Sequence, residues 1–471
     1  MKKNILILLI TLLFLQVNKS LAQYAAQNIT LYANWNDPNV VSEPVYNIKY
    51  NSVWGWVDST GKEYAIIGST AGTYFIDVTN PSTPVVKDYV AGKRDSCIWR
   101  EYKTYGKYLY IVSDDPAPNS FQIIDLSYLP DSVHVVYDSN SIFTRSHTLF
   151  IDGNKLYCAS VSSANNYASL AVFSLANPEL PSLLRELNQD YPNIGYTHDM
   201  FVRNDTVYVS AGDYGLFIFK FESNNTFNIL GSVTQYPDQG YNHSSSLTAD
   251  GKTLIFCDEV PAGLGVKSVD VSDFNNLTVL KTFYSNTGAT PHNPYVIGND
   301  KVVIAYYQDG VQIFDISDPA NPVKTGYFDT DTLNGLNNNY PDNPTYQGCW
   351  GAYTDLPSGV LLASDMQNGL YILNASAALS VPSTNVFNPK INLYPNPTKD
   401  NFNFSINLKN VDEINYEVTD ITRRTLITKN GKLQSGNSTV IIDSKNLATG
   451  IYVVKIKGKE FSANEKLIKT N

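Results

Sequence analysis

The sequence predicts an all-β protein: a seven-bladed β-propeller closed by an N-terminal strand, followed by a small C-terminal β-sandwich. Three observations carry that prediction. Two residue marks recur in phase seven times through the middle of the chain, a β-rich segment lies between them each time, and the tail from residue 390 changes both charge and pattern. The chain has 471 residues, 43% hydrophobic and 17% charged, with 33 Tyr, 20 Phe and 5 Trp, which excludes a disordered polymer. Its net charge of −10 argues against nucleic acid as a partner.

Taken in order, residues 1–22 read as a secretory signal peptide. Lys2 and Lys3 precede an apolar run from Ile5 to Leu15, and Ser20-Leu21-Ala22 supplies a small-residue exit. The run is shorter than the roughly 20 residues a spanning helix needs, so no transmembrane segment is expected in the mature chain.

Residues 23–379 hold the repeat. An apolar strand ending in an Asp-like position recurs at Asp77, Asp125, Ser174, Lys220, Asp270, Asp315 and Asn374. A Trp or His lies 22 to 27 residues upstream each time: Trp54, Trp99, His147, His198, His243, His292 and Trp350. Steps of 45 to 59 residues built only from strands suit blades of four strands. The last copy runs into the linker without a fourth strand, and an open ring would leave unpaired edges. Asn28 to Trp35 resembles the fourth strand Lys324 to Phe328, so it is predicted to close the ring on blade seven. Blade four departs from the pattern, with Lys220, Glu222 and Asn224-Asn225 at its turn.

Residues 380–389 are rich in Ser, Pro and Asn and read as a linker. Residues 390–471 carry 13 basic and 8 acidic residues, against 18 and 36 in residues 23–389. Alternating runs at Asn401 to Ile406, Ile414 to Thr419, Thr439 to Ile442 and Ile451 to Ile456 predict a sandwich.

Two resemblances rest on these residues. Tyr394-Pro395-Asn396-Pro397, Tyr416 to Asp420, and Leu447 to Lys455 with Gly450 and Tyr452 resemble the C-terminal sorting domain of type IX secretion cargo. That resemblance implies recognition by the type IX machinery, export through the outer membrane, and a place at the cell surface or outside the cell. Phe75-Ile76-Asp77-Val78 and its copies resemble LVIVD repeats. The core, with Val53 to Asp58, Trp99 to Gly106, Thr197-His198-Asp199, Pro291-His292-Asn293 and Trp350 to Tyr353, is similar to the choice-of-anchor B family. This second resemblance implies a secreted propeller with interchangeable anchoring tails and no established reaction.

The first strand of each blade lines a propeller's channel, so His147, His198, His243 and His292 are predicted to converge at one mouth. With Asp199, Asp258 and Glu259 they are candidate ligands of a transition metal. Trp54, Trp99 and Trp350 fill the same slot, and Trp cannot ligate a metal. That favours a structural latch for some copies. Arg100 and Glu101 are read as reaching the channel or bridging blades. The adjacent pairs Asp114-Asp115 and Asp258-Glu259 send their side chains to opposite faces of a strand and read as solvated loop-end charges. No nucleophile elbow or phosphate loop is present in the sequence. Cys97, Cys158, Cys257 and Cys349 are expected to be buried and unbridged.

The expected function is a binding module for an extracellular protein or carbohydrate, with Tyr191, Tyr196, Tyr236, Tyr241, Tyr340 and Tyr346 as contact residues. The alternative is a metal-dependent enzyme acting at the histidine cluster.

Overall fold

The computed structural model describes residues 24–164, 166–331, 346–380, 391–408, 412–420, 424–458 and 462–470. The signal-peptide residues 1–22, Tyr340 and residues 381–389 of the linker lie outside them. The chain divides into two compact units, Met1–Ser380 and Val381–Asn471.

Among the described residues, the first unit consists of seven antiparallel sheets, six of four strands and one of five. Numbered along the chain, their first strands are Tyr50–Val57, Arg100–Tyr105, Thr148–Asp152, Asp199–Arg203, Asn242–Leu247, Asn293–Ile297 and Cys349–Tyr353. Each first strand neighbours the first strand of the next sheet, and Cys349–Tyr353 neighbours Tyr50–Val57. The apolar side chains follow the same cycle. Tyr110 and Val112 of sheet two pack on Leu156 and Cys158 of sheet three. Val53 and Ile67 of sheet one pack on Leu362 and Ile372 of sheet seven. Second and third strands therefore have both faces covered. This explains why segments such as Glu63–Ser69 and Val360–Asp365 are buried at every residue. Fourth strands have an open side, and Val85–Ala91 exposes Val85, Val86 and Tyr89.

The N-terminal strand Thr30–Trp35 supplies the fourth strand of sheet seven, pairing antiparallel with Gly369–Asn374. Sequence reasoning missed the pair before it. Ala26–Gln27 pairs with Val323–Phe328 as a fifth strand on sheet six, so the N-terminal segment ties two sheets together. A short helix, Ser376–Ser380, follows sheet seven and buries Ala378 in the apolar core between sheets six and seven.

The Asp-like mark caps the turn that leaves the third strand. Asp125 Oδ1 accepts hydrogen bonds from the Ser127 N–H (2.9 Å) and hydroxyl (2.6 Å), and Asp270, Asp315 and Asn374 repeat this with Ser272, Ser317 and Ser376. Sheet four lacks the cap. Its strands are joined by a tight turn at Glu222–Thr226, with Asn225 at φ +60°, a conformation Asn tolerates. The four cysteines are buried free thiols.

The second unit packs a three-stranded sheet (Asn392–Tyr394, Asn401–Leu408, Gly436–Asp443) against a four-stranded one (Thr425–Leu433, Asp412–Asp420, Gly450–Lys457, Ser462–Lys469). Phe402, Phe404 and Ile406 meet Val418, Val454, Ile456 and Leu467 in its core. The edge strand Thr425–Leu433 is mostly exposed and carries no alternating pattern that would announce it. Asn396 joins the start of the unit to its last strand, bonding Lys466 O at 2.7 Å and the Ile468 N–H at 2.9 Å. The Tyr452 hydroxyl donates to Ala448 O at 2.7 Å.

Candidate functional site

Six of the seven slot residues stand at or just before the start of the first strands, whereas Trp54 is the fifth residue of Tyr50–Val57; all seven line one cavity of about 620 Å³. Trp54, Trp99, His147, His198, His243, His292, Trp350 and Asp199 all contribute to its wall. Strand alternation adds Glu101 and Lys103, which share the face of Trp99.

The four imidazoles form a continuous row of mutually tilted rings. Ring centroids are 4.0 Å apart for His147–His198 and 4.3 Å for both His198–His243 and His243–His292. His292 then stacks on Tyr307 at 4.6 Å and lies 4.8 Å from Trp350. At one end, His147 Nδ1 is 2.5 Å from Asp114 Oδ2, and His147 Nε2 is 3.0 Å from His198 Nε2. The far nitrogen of His198 meets the hydroxyls of Tyr241 (2.8 Å) and Tyr196 (2.9 Å). One proton placement satisfies the whole chain. His147 donates from both nitrogens, His198 accepts at Nε2 and donates to Tyr241, and Tyr241 donates to Tyr196 at 2.8 Å.

The electrostatics agree with that placement. Burial opposes a charged imidazole at His147, yet the adjacent Asp114 carboxylate outweighs it and pushes the group up to about 9. Burial holds His198 well below its ordinary value and takes His243 and His292 down to about 3. Burial also raises Asp199 to about 6, although Lys103 pulls the other way. The Lys103 ammonium, itself lowered by burial, lies 4.3 Å above the Trp54 ring.

Part of this wall latches one sheet to the next. His292 Nδ1 donates to Trp350 O at 2.5 Å, and Trp350 Nε1 donates to Glu101 Oε1 at 3.2 Å. Glu259 accepts from the Tyr307 hydroxyl at 2.5 Å and has its other oxygen 3.9 Å from His243 Nε2.

Three expectations need correction. Arg100 does not line the cavity. It alternates with Trp99 and Glu101, so it points to the opposite face and is buried beneath Gly92, where a Cβ would stand 2.6 Å from its guanidinium. Asp258 is likewise turned away from Glu259 and pairs with Lys267 at 2.7 Å, both side chains being fully buried. Neither adjacent carboxylate pair is a solvated loop end. Asp115 Oδ2 accepts the N–H groups of Ile98 and Trp99, while Asp114 holds His147. Among the tyrosines, Tyr196, Tyr241 and Tyr346 line the cavity. Tyr191 packs on Phe219 and Tyr236 on Phe256, both covering core. Tyr307 had no sequence signal, because it follows a middle strand rather than opening a first one.

Residues 392–470 match the family described as the secretion system C-terminal sorting domain. The tail is a type IX sorting domain. The chain that carries it is a type IX secretion substrate, exported across the outer membrane to the cell surface or the medium. No helix among the described residues is long and apolar enough to cross a membrane. No curated protein matches the chain. Among solved structures, the chain is similar to PorZ, an essential bacterial surface component of the type-IX secretion system of Porphyromonas gingivalis, at 12% identity and a TM-score of 0.46. The match covers 92% of this chain and 61% of that one, so the sorting-domain chain spans about three fifths of PorZ. A likeness of that size carries no argument about function.

Proposed function

We propose that residues 23–379 are a seven-bladed β-propeller of the LVIVD, choice-of-anchor B type. It follows a cleaved signal peptide and acts outside the cell as a binding module. The cyclic neighbourhood of the seven first strands and the strand lent by Thr30–Trp35 support the ring. The ligand class the cavity suits best is a carbohydrate.

The observation that carries this reading is the composition of the cavity wall. The wall combines rings from Trp54, Trp99, Tyr346 and Tyr353 with Glu101, Asp199, Asp355 and Lys103 around about 620 Å³. Aromatic faces cover the apolar side of a sugar ring, and carboxylates accept its hydroxyls. A volume of this size takes a mono- or disaccharide unit, within the range of small-molecule sites.

The test is a glycan array probed with the full chain, followed by calorimetry on any hit with Trp99→Ala and Tyr346→Ala. Binding lost in both variants, with folding intact, supports the cavity as the sugar site. An empty array, or a hit that both variants keep at full affinity, overturns it and directs attention to a protein partner.

A further inference from the structure

We propose that His198, His243 and Glu259 bind one divalent transition-metal ion of the zinc class, with an open coordination position facing the cavity. Their donor atoms all lie within 4.8 Å of one another, and the three residues are 7%, 5% and 8% exposed. Two imidazoles and a carboxylate are a donor set that borderline divalent cations prefer, whereas calcium and magnesium take all-oxygen sites.

The spacing fits an ion better than it fits direct contact. His243 Nε2 and Glu259 Oε2 are 3.9 Å apart, too far for a hydrogen bond, and His243 Nδ1 makes none among the described residues. Ligands around a tetrahedral zinc, at about 2.0–2.1 Å from the metal, stand about 3.3–3.5 Å from one another. A shift of about 0.5 Å brings this pair onto a shared ion, and the third donor, within 4.8 Å of the others, closes by up to about 1.4 Å.

Two of the three ligands have the outer partners a metal site uses. His198 has its far nitrogen against the Tyr241 and Tyr196 hydroxyls, and Glu259 has its far oxygen against Tyr307. Such contacts fix ring orientation and leave the near atoms for the metal. On loading, the ion replaces the His147 hydrogen bond at His198 Nε2. Three protein ligands with a fourth position opening on a cavity is the pattern of reactive rather than purely structural zinc sites.

The proposal does not depend on what the cavity binds, so Zn²⁺ alone is the probe. Full chain purified without a His tag is analysed for metal, stripped with chelator and titrated calorimetrically with zinc chloride. One saturable equivalent is expected. His243→Ala and Glu259→Gln should each weaken binding about tenfold or more, Tyr307→Phe by about tenfold, and the exposed turn variant Asp273→Asn, away from the cavity, should leave it unchanged. If His243→Ala does not fold, Glu259→Gln and a zinc-dependent rise in the wild-type Tm carry the test. The proposal falls if the wild-type chain takes up less than about a tenth of an equivalent with no Tm shift, or if Glu259→Gln binds zinc as tightly as wild type.

Discussion

The indole N–H of Trp350 donates to Glu101 across 249 residues of sequence, at 3.2 Å, while the other oxygen of the same carboxylate accepts from Ser52 at 2.8 Å. One side chain on sheet two thus holds sheets seven and one at the cavity wall. Glu101→Ala leaves both donors without their acceptor and is expected to cost about 1–3 kcal/mol in chemical denaturation, with Glu101→Gln costing less. Equal stability of Glu101→Ala and wild type would show that water replaces the carboxylate at no cost.

The pairing of Thr30–Trp35 with Gly369–Asn374 completes sheet seven. Deleting residues 24–35 exposes that third strand as an open edge beside Leu31's former apolar neighbours. A large fall in Tm and concentration-dependent aggregation by light scattering are expected. A deletion variant that stays monomeric with unchanged Tm contradicts a closing role.

Lys267 and Asp258 form an ion pair at 2.7 Å with both side chains fully buried. Lys267→Met strands the carboxylate and should destabilise by about 3–5 kcal/mol, whereas Lys267→Met with Asp258→Leu should recover much of that loss. The Tyr236 hydroxyl, which donates to Asp258 at 2.9 Å, loses its partner in the double variant and limits the recovery. A denaturant series on the wild type and these two variants decides the point.

Burial pushes Asp365 up to about 7, against two backbone N–H donors from Gln367 and Asn368, with Asp331 adding to the rise. Cys349 and Tyr371 face it from the neighbouring strands. The folded chain therefore holds a proton between about pH 4 and 7 that the unfolded chain has released. By linkage this group's contribution to stability falls as pH rises through that window. His292, lowered to about 3, contributes in the opposite sense from pH 6.5 downward, so the informative quantity is a difference. Asp365→Asn should gain stability relative to wild type from pH 4 to 7, by thermal denaturation across that range. A constant offset at every pH would mean that Asp365 does not titrate there.

The sheet repeat was legible because every sheet solves the same packing problem, so Trp99 to Trp350 and Asp77 to Asn374 keep step, while Trp54 lies further along its strand, paired with Ile66. The convergence of the histidines followed from that phase. The register of Arg100 was misread because a slot residue marks where a strand begins, and the choice between its neighbours depends on parity, which puts Glu101 and Lys103 inside. Asp258 found its partner Lys267 on an adjacent strand, a pairing that depends on hairpin register rather than spacing. Tyr307 enters the cavity from a turn, where no periodic pattern operates. In the tail, alternation revealed the strands that fill the core and was silent on Thr425–Leu433, where only Ile427 and Leu433 pack against that core.

The seam of the first unit joins its earliest residues to some of its last. Ala26–Gln27 and Thr30–Trp35 are synthesised about three hundred residues before their partners Val323–Phe328 and Gly369–Asn374. A nascent chain cannot lock until nearly the whole unit has been synthesised. A chain truncated before Val323 therefore leaves Ala26–Gln27 and Thr30–Trp35 without their strand partners.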